Sequence, residues 1–328
     1  MRKMKRLMPF LVSALTLAGA LPLRSLAFEV DCGEVLFDCI RVSTSSYNSQ
    51  LDEKYTKGLK INEVLRSGFD VYIPDGCVSG NNNFAFVILK DGLFSMNSEI
   101  TSIRLPSELM DIQKRVFYGC TSLKSIAVPA KVENIGEQAF FGCTSLETVD
   151  MGESSENLKV IPEGCFFSCT SLKKVNLPQG IETIESEAFY GCPELDMMEI
   201  PESVTYIGYD AIGKKYDVRS KESVNVENFL IVGKTGSAAQ TYAENNDLDF
   251  MDKSFELMGD VDSDGMITAA DASEVLAEYV RLSTGHSSGL KPRQRVLGDY
   301  DGDGFMTAMD ASDILSEYVR LSTQKAEE

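Results

Sequence analysis

Two short stretches concentrate the residues able to do chemistry. Asp260, Asp262, Asp264 and Asp271 occupy positions 1, 3, 5 and 12 of a twelve-residue segment, with Gly265 at position 6. Asp299, Asp301, Asp303 and Asp310 repeat that spacing around Gly304. A hard cation wants about six to eight oxygens at about 2.3–2.6 Å; alternation turns the first three carboxylates toward one centre, and the glycine admits the sharp turn. Met266 and Phe305, at position 7, would offer a backbone carbonyl, while Thr268 and Thr307, at position 9, would ligate directly or through water. Carboxylates this close repel one another without an ion, so binding and folding should be coupled. Calcium, one ion per loop, is the expected cation, because magnesium prefers a tighter octahedron and keeps its waters.

Each loop runs into an apolar stripe of helical period. Ala272, Val275, Leu276, Tyr279 and Leu282 follow the first, and Ala311, Ile314, Leu315, Tyr318 and Leu321 follow the second. Neither unit is a full EF-hand, since position 12 is Asp and residues 253–258 make a weak entering helix. Gly259-Asp260-Val261-Asp262-Ser263-Asp264-Gly265 and Gly298-Asp299-Tyr300-Asp301-Gly302-Asp303-Gly304, each a loop with only its exiting helix, resemble the type I dockerin domain, here over residues 253–328. That resemblance implies docking onto a cohesin domain of a scaffoldin in a cell-surface cellulosome. It also implies partner-reading residues at Ala269, Ala270 and Arg281 in the first half and Ala308, Met309 and Arg320 in the second. Many dockerins carry a Ser-Thr pair where this chain has small apolar residues, which leaves the cohesin class open. The near-identical halves imply pseudo-twofold symmetry.

These loops hang from a much larger repetitive segment. From residue 81 to 252, Gly-Cys recurs at Cys120, Cys143 and Cys192, with Ser168-Cys169 in the corresponding place and Asn97 in an earlier copy. The steps are 23, 23, 26 and 23 residues, the longer one falling where Gly152-Glu-Ser-Ser-Glu replaces a strand-ending proline. A period in the twenties with apolar residues at fixed offsets indicates a leucine-rich-repeat solenoid, whose coils bury their apolar sides only by stacking. In one unit Leu123, Ile126, Val128, Val132, Ile135, Ala139, Phe140, Cys143 and Leu146 should face inward. The phrase Ala-Phe-X-Gly-Cys-Thr-Ser-Leu resembles the BspA-type bacterial leucine-rich repeats, a class that includes adhesins. Ser237 and Gln240 suggest a capping box opening a terminal helix. The expected fold class is α+β: a solenoid of short strands and helical turns, closed by its own cap, then a small all-α calcium-binding module.

Residues 1–27 read as an export signal, with Arg2, Lys3, Lys5 and Arg6 before an apolar stretch over 7–23 and a small-residue cleavage site at Ser25-Leu26-Ala27. No second apolar span follows, so the mature chain should be secreted without a membrane span. Residues 28–80 read as an N-terminal cap or irregular repeat, with Val71-Tyr72-Ile73-Pro74 as a proline-ended strand. Cys32 and Cys39 are close enough to pair, leaving Cys77, but spacing leaves the connectivity open. A formal charge of −19 argues against nucleic acid, whose phosphates reward basic surfaces.

The remaining chemistry-bearing residues have structural readings. Cysteines 120, 143, 169 and 192 come one per coil, without the paired spacing of a zinc site, and fit small buried positions. Tyr118, Phe141, Phe167 and Tyr190 each follow an inward Phe, and form either a packed ladder or a ligand-binding stripe. Arg104, Ala127, Asp150, Asn176 and Glu199, beside Ser102, Ser125, Thr148, Lys174 and Met197, make an outward strand face without aromatics. His286, the single histidine, lies in the connector between the loops, leaving no Ser-His-Asp or Cys-His arrangement. The expected protein is therefore non-catalytic: a dockerin displays a leucine-rich-repeat protein-interaction domain in a polysaccharide-degrading complex. The alternatives are a polysaccharide hydrolase carried on the same tail, or a surface adhesin.

Overall fold

The computed structural model describes residues 28–31, 36–41, 57–66, 70–79, 82–152 and 157–325. The expected export signal, Cys32 and most of the Gly152 insertion lie outside these residues.

One coil shows how residue type sets the path. Strand Ser125–Ala127 alternates exposed, buried, exposed, so Ile126 points inward. Asn134–Ile135 turns Ile135 inward, and a tight helical turn then carries Ala139 and Phe140 inside. All nine positions expected to face inward in this unit are buried, none more than 6% exposed. Burial of large apolar side chains at about 1.5–3 kcal/mol each is what holds such a coil against its neighbours.

Coils join through parallel ladders. Ser125, Thr148 and Lys174 lie opposite one another, as do Ile126, Val149 and Val175, so the 26-residue step keeps the same register as the 23-residue one. A second ladder aligns Val160, Thr183 and Tyr206. After each helical turn the chain reverses through a left-handed residue: Gly119, Gly142 and Gly191 have φ of 67°, 69° and 75°. Met96 and Ser168 take that conformation in their coils, with φ of 60° and 57°. Glycine is the residue that adopts it without a steric cost, which explains the recurrent Gly-Cys pair.

Two ring ladders and a thiol ladder follow from this stacking. Phe94, Phe117, Phe140, Phe166 and Phe189 are buried and stacked, with centroids 5.5, 5.1, 5.1 and 5.1 Å apart. Cys120, Cys143, Cys169 and Cys192 are buried free thiols, each donating to a phenylalanine carbonyl of the preceding coil: Phe94, Phe117, Phe140 and Phe166, at 3.2, 3.1, 3.2 and 3.2 Å. Burial pushes the Cys120 and Cys192 thiols up to about 12, and raises Cys143, Cys165 and Cys169 well above the usual thiol range.

Both ends of the solenoid are covered. Strand Asp70–Tyr72 pairs in parallel with Ser102–Arg104, bringing Val71 and Ile73 into the core. Strands Phe28–Asp31, Leu36–Arg41 and Lys57–Arg66 form a meander whose last member pairs with Asn82–Leu89. At the other end Met197–Glu199, Leu230–Val232 and Asp249–Met251 are parallel neighbours. The long interval between the first two contains an antiparallel hairpin, Lys214–Asp217 with Glu222–Asn225. Helix α1 (Ala238–Asn245) closes this end by burying Ala239, Tyr242 and Ala243. The expected Ser237–Gln240 capping box does not form. Gln240 reaches one residue further back and accepts from Gly236 N at 2.7 Å, leaving the Ser237 hydroxyl without a partner.

The chain continues as a small all-α region: α2 (Ala269–Ser283), α3 (Pro292–Gly298) and α4 (Ala308–Lys325). Helices α2 and α4 pack around Val261, Ile267, Ala272, Val275, Ala311 and Ile314. The expectation of loops with exiting helices only holds for the first loop, which is entered by a short turn at Lys253–Phe255. It fails for the second, because α3, opened by Pro292 and anchored by buried Val296 and Leu297, leads into it. Leu276 and Leu315, counted in the apolar stripes, remain 46% and 44% exposed, because the two-helix contact is narrower than the stripe. Among the described residues no helix is long and apolar enough to cross a membrane.

Truncating the centre of the buried stack, Phe140→Ala, should cost about 3–5 kcal/mol in urea unfolding, and half-buried Phe141→Ala clearly less. The five described thiols should resist alkylation at pH 8 in the native protein and label fully in denaturant. Peptide mass mapping after iodoacetamide treatment reads this out, because the reactive thiolate is suppressed by burial.

Candidate metal centre and interaction surfaces

Helix α2 starts at the first acidic loop through a capping box. Thr268 Oγ1 accepts from Ala270 N at 3.1 Å, and Asp271 Oδ2 accepts from Thr268 N at 2.8 Å. The carboxylates of Asp260, Asp262 and Asp264 come within 4.8 Å of one another, as do those of Asp299, Asp301 and Asp303. These two clusters could coordinate a divalent cation. Asp260 is buried and accepts from Asp264 N and Gly265 N, at 3.0 and 2.9 Å. Asp262 and Asp264 accept from the backbone two residues ahead, at 3.1 and 2.9 Å. In the second loop Asp299 Oδ2, Asp301 and Asp303 accept from Gly304 N, Asp303 N and Phe305 N, at 3.0, 3.0 and 2.8 Å.

Position 12 behaves differently from the other three. Asp271 and Asp310 are fully buried. Asp271 accepts from Val261 N, Asp262 N, Thr268 N and Thr268 Oγ1. Asp310 accepts from Tyr300 N, Asp301 N, Thr307 N and Thr307 Oγ1. Each therefore ties the two ends of its loop together, and the acidic grouping is three carboxylates with a fourth as brace.

The electrostatics of the clusters suit a cation. Loss of water, and then the charges of Asp271, Asp264 and Asp260 against an Asp264 N–H bond, hold Asp262 above the usual carboxylate range. Loss of water also raises Asp299, with Asp310 and Asp303 adding to it and the Gly304 N–H and Lys253 opposing it. Asp299 Oδ1 is shut from solvent with no hydrogen-bond partner. A buried carboxylate oxygen without a donor is costly, and a hard divalent ion is the chemistry that would satisfy it. The residues present thus fit such an ion.

The residues expected to read a partner are dispersed over the helix starts and ends. Ala269, Ala270, Ala308 and Met309 are exposed. Arg281 Nε donates to Ser287 O at 2.7 Å, and Arg320 makes a two-pronged pair with Glu317 at 2.7 and 2.6 Å, so each guanidinium is engaged inside its own half. His286 is exposed in the connector, its Nδ1 3.0 Å from Thr284 Oγ1.

On the solenoid, Tyr118, Phe141, Phe167 and Tyr190 are half-buried and stacked on one another, with centroids 4.8, 4.8 and 5.1 Å apart. The faces between neighbouring rings are spent on each other, so the row presents mainly ring edges. The strand face is where sequence reasoning missed most. Arg104, Ala127, Asp150, Asn176 and Glu199 point outward as expected. Lys174 and Met197 are only half-exposed, because the helical region lies against that end of the face. Leu230, Val232 and Met251 form one apolar cluster with Val296 and Leu297 of α3, joined by Met197 and Met258. Arg295 pairs with Asp196 at 2.6 Å, Lys253 with Glu199 at 3.0 Å, and Lys174 Nζ donates to Gly304 O at 3.4 Å.

Comparison with known proteins bears on the repeats. A family model described as "BspA type Leucine rich repeat region" matches residues 87–218 in six copies. Among solved structures the chain is similar to a leucine rich cell surface protein from Faecalibacterium prausnitzii A2-165, at 21% identity over 64% of this chain and 65% of that one, with a TM-score of 0.40. It is similar also to the leucine rich repeat protein TpLRR of T. pallidum, at 24% identity over 51% and 85% of the two chains, TM-score 0.40. The pneumococcal vaccine antigen PcpA matches at 11% identity over 69% and 99%, TM-score 0.26. The chain thus spans about two thirds of the length of the first of these proteins. No curated protein matches it.

These findings correct one expectation. The terms dockerin, cellulosome, cohesin binding and polysaccharide catabolism do not describe the solved proteins that the chain is similar to: four are leucine-rich proteins, one of them a cell surface protein, and another is a pneumococcal vaccine antigen. The physical reason is that acidic-loop spacing specifies a cation's coordination chemistry and carries no information about a protein partner. BspA-type repeat regions are typically non-catalytic interaction modules, in agreement with the expectation that the chain is not an enzyme. Residues 87–218 are a BspA-type leucine-rich-repeat region, continued by a small all-α region bearing two acidic clusters.

Proposed function

We propose that this is an exported, non-catalytic interaction protein of the adhesin kind, in which a leucine-rich-repeat solenoid binds another protein and a calcium-organised tail braces it. Residues 1–27 are the export signal, 28–80 the N-terminal cap, 81–252 the solenoid with its C-terminal cap, and 253–328 the tail. The first calcium takes Asp260, Asp262, Asp264, the Met266 carbonyl and Thr268, with Asp271 closing the loop. The second takes Asp299, Asp301, Asp303, the Phe305 carbonyl and Thr307, closed by Asp310. The observation that carries the reading is the division of the strand face. Its far end, at Lys174 and Met197, is covered by the tail, while Ser102, Arg104, Ser125 and Ala127 point outward with exposed side chains. A chain of formal charge −19 suits a partner with a basic surface. The exposed edges of Tyr118, Phe141, Phe167 and Tyr190 supply a second, narrower contact strip.

Two experiments test this. Saturable binding of the mature chain to a basic extracellular protein should be abolished by Ser125→Arg with Ala127→Arg, at unchanged thermal stability. Binding indifferent to those changes, or release of sugars from polysaccharide, would refute the recognition role. Calcium at a hundredfold excess over its Kd should stabilise the folded tail by about 2.7 kcal/mol per loaded loop. In differential scanning calorimetry, Asp260→Ala with Asp299→Ala should remove that gain.

A further inference from the structure

The acidic loops are near-duplicates in sequence, yet the fold gives them different surroundings. A Cβ built on Gly265 meets nothing within 4 Å, whereas one on Gly304 would meet Lys174 Nζ at 3.1 Å. Lys174 comes from the solenoid, 130 residues away, and donates to Gly304 O at 3.4 Å. Its ammonium also sits over the Phe305 ring, 4.4 Å from the centroid. Phe305 is the position-7 residue of the second loop; it is 64% exposed, and its counterpart Met266, with no such cation over it among the described residues, 54%. The other cation near this loop, Lys253, is paired with Glu199 at 3.0 Å, and its charge also reaches Asp299. The orphaned carboxylate oxygen, Asp299 Oδ1, belongs to this same second loop, while both oxygens of Asp260 are taken by backbone N–H groups.

We propose that Lys174 makes the two loops unequal cation sites, weakening the second for a divalent ion and leaving the first untouched. The proposal rests on the reading that both loops bind calcium. A fixed positive charge beside a divalent site repels the incoming ion. In wet, partly screened surroundings that amounts to a factor of about three to ten in affinity. Lys174 also serves the ion-free loop, donating to its Gly304 carbonyl and lying over its Phe305 ring. Ion entry therefore competes with the lysine, and the contact between tail and solenoid bears on the strength of the second site. Added salt should narrow the gap between the sites.

The test is calcium titration of the whole mature chain by calorimetry, with one loop at a time disabled by Asp260→Asn with Asp262→Asn or by Asp299→Asn with Asp301→Asn. The expected result is a second loop about three- to tenfold weaker than the first. Lys174→Met, which keeps an unbranched stem beside Phe305, should erase most of that difference by tightening the second loop alone, and Lys174→Glu should go further. Unchanged second-loop affinity in Lys174→Met, equal movement of both loops, or a wild-type first loop that is the weaker would each overturn the proposal while leaving calcium binding in place. Absence of calcium uptake by either loop would instead remove the calcium reading, and this proposal with it. A thermal scan of each variant without calcium confirms that folding is intact.

Discussion

Everything in the solenoid answers to one length: the spacing of hydrogen-bonded strands, about 4.8 Å. Once the backbones of successive coils are held that far apart, every side chain recurs at nearly that interval. A flat ring fits the interval almost exactly once per coil, which is why the Phe94 to Phe189 series stacks at 5.1 to 5.5 Å. The thiols obey the same constraint. Each is small enough for the space beneath the turn and still reaches a carbonyl of the coil before it, adding a second donor to an acceptor that already takes a backbone N–H within its own turn. Asn97 holds the equivalent place in an earlier coil and solves a different local problem, its Oδ1 accepting from Glu99 N and Ile100 N.

The tail depends on the same ladder at one remove. Leu230 and Val232 belong to a ladder strand and so lie at a fixed height along the solenoid, and α3 lays Val296 and Leu297 against them. The Arg295–Asp196 pair sets the orientation of that contact more than its strength, since part-exposed ion pairs are worth little on their own. Because α3 leads directly into the second acidic loop and its Leu297 carbonyl accepts from Gly259 N at 2.9 Å, one short helix ties both loops to the solenoid. The loops themselves are held by backbone N–H groups turned onto carboxylates, so the polypeptide is shaped around negative charge before any ion is considered.

Much of this was legible in the residues. The inward positions of a coil were readable because they repeat at fixed offsets and because burial is a local consequence of alternation. The acidic clusters were readable because their carboxylates lie within a dozen residues. What could not be read was long-range or shared. Lys174 and Gly304 lie too far apart in sequence for any periodicity to connect them. Helix α3 is too short to show an amphipathic pattern, although Lys291-Pro292 with Gln294 was a usable start signal. The role of Asp271 was half visible: its spacing suggested a ligand, but only the capping box shows it bracing the loop. The assignment of a cellulosomal partner failed for a further reason. It carried a family's biology across on loop chemistry that any acidic ion-binding turn of that length would share.

The hairpin between Lys214 and Asn225 shows what the architecture tolerates. It adds chain between Met197 and Leu230, yet those residues still pair in register and the buried stack ends undisturbed at Phe189. Closing a longer excursion costs only slowly more as it grows. That corner of the coil is therefore a natural port for inserted sequence, where new surface can be grafted by lineage or by design while the scaffold beneath keeps its pitch.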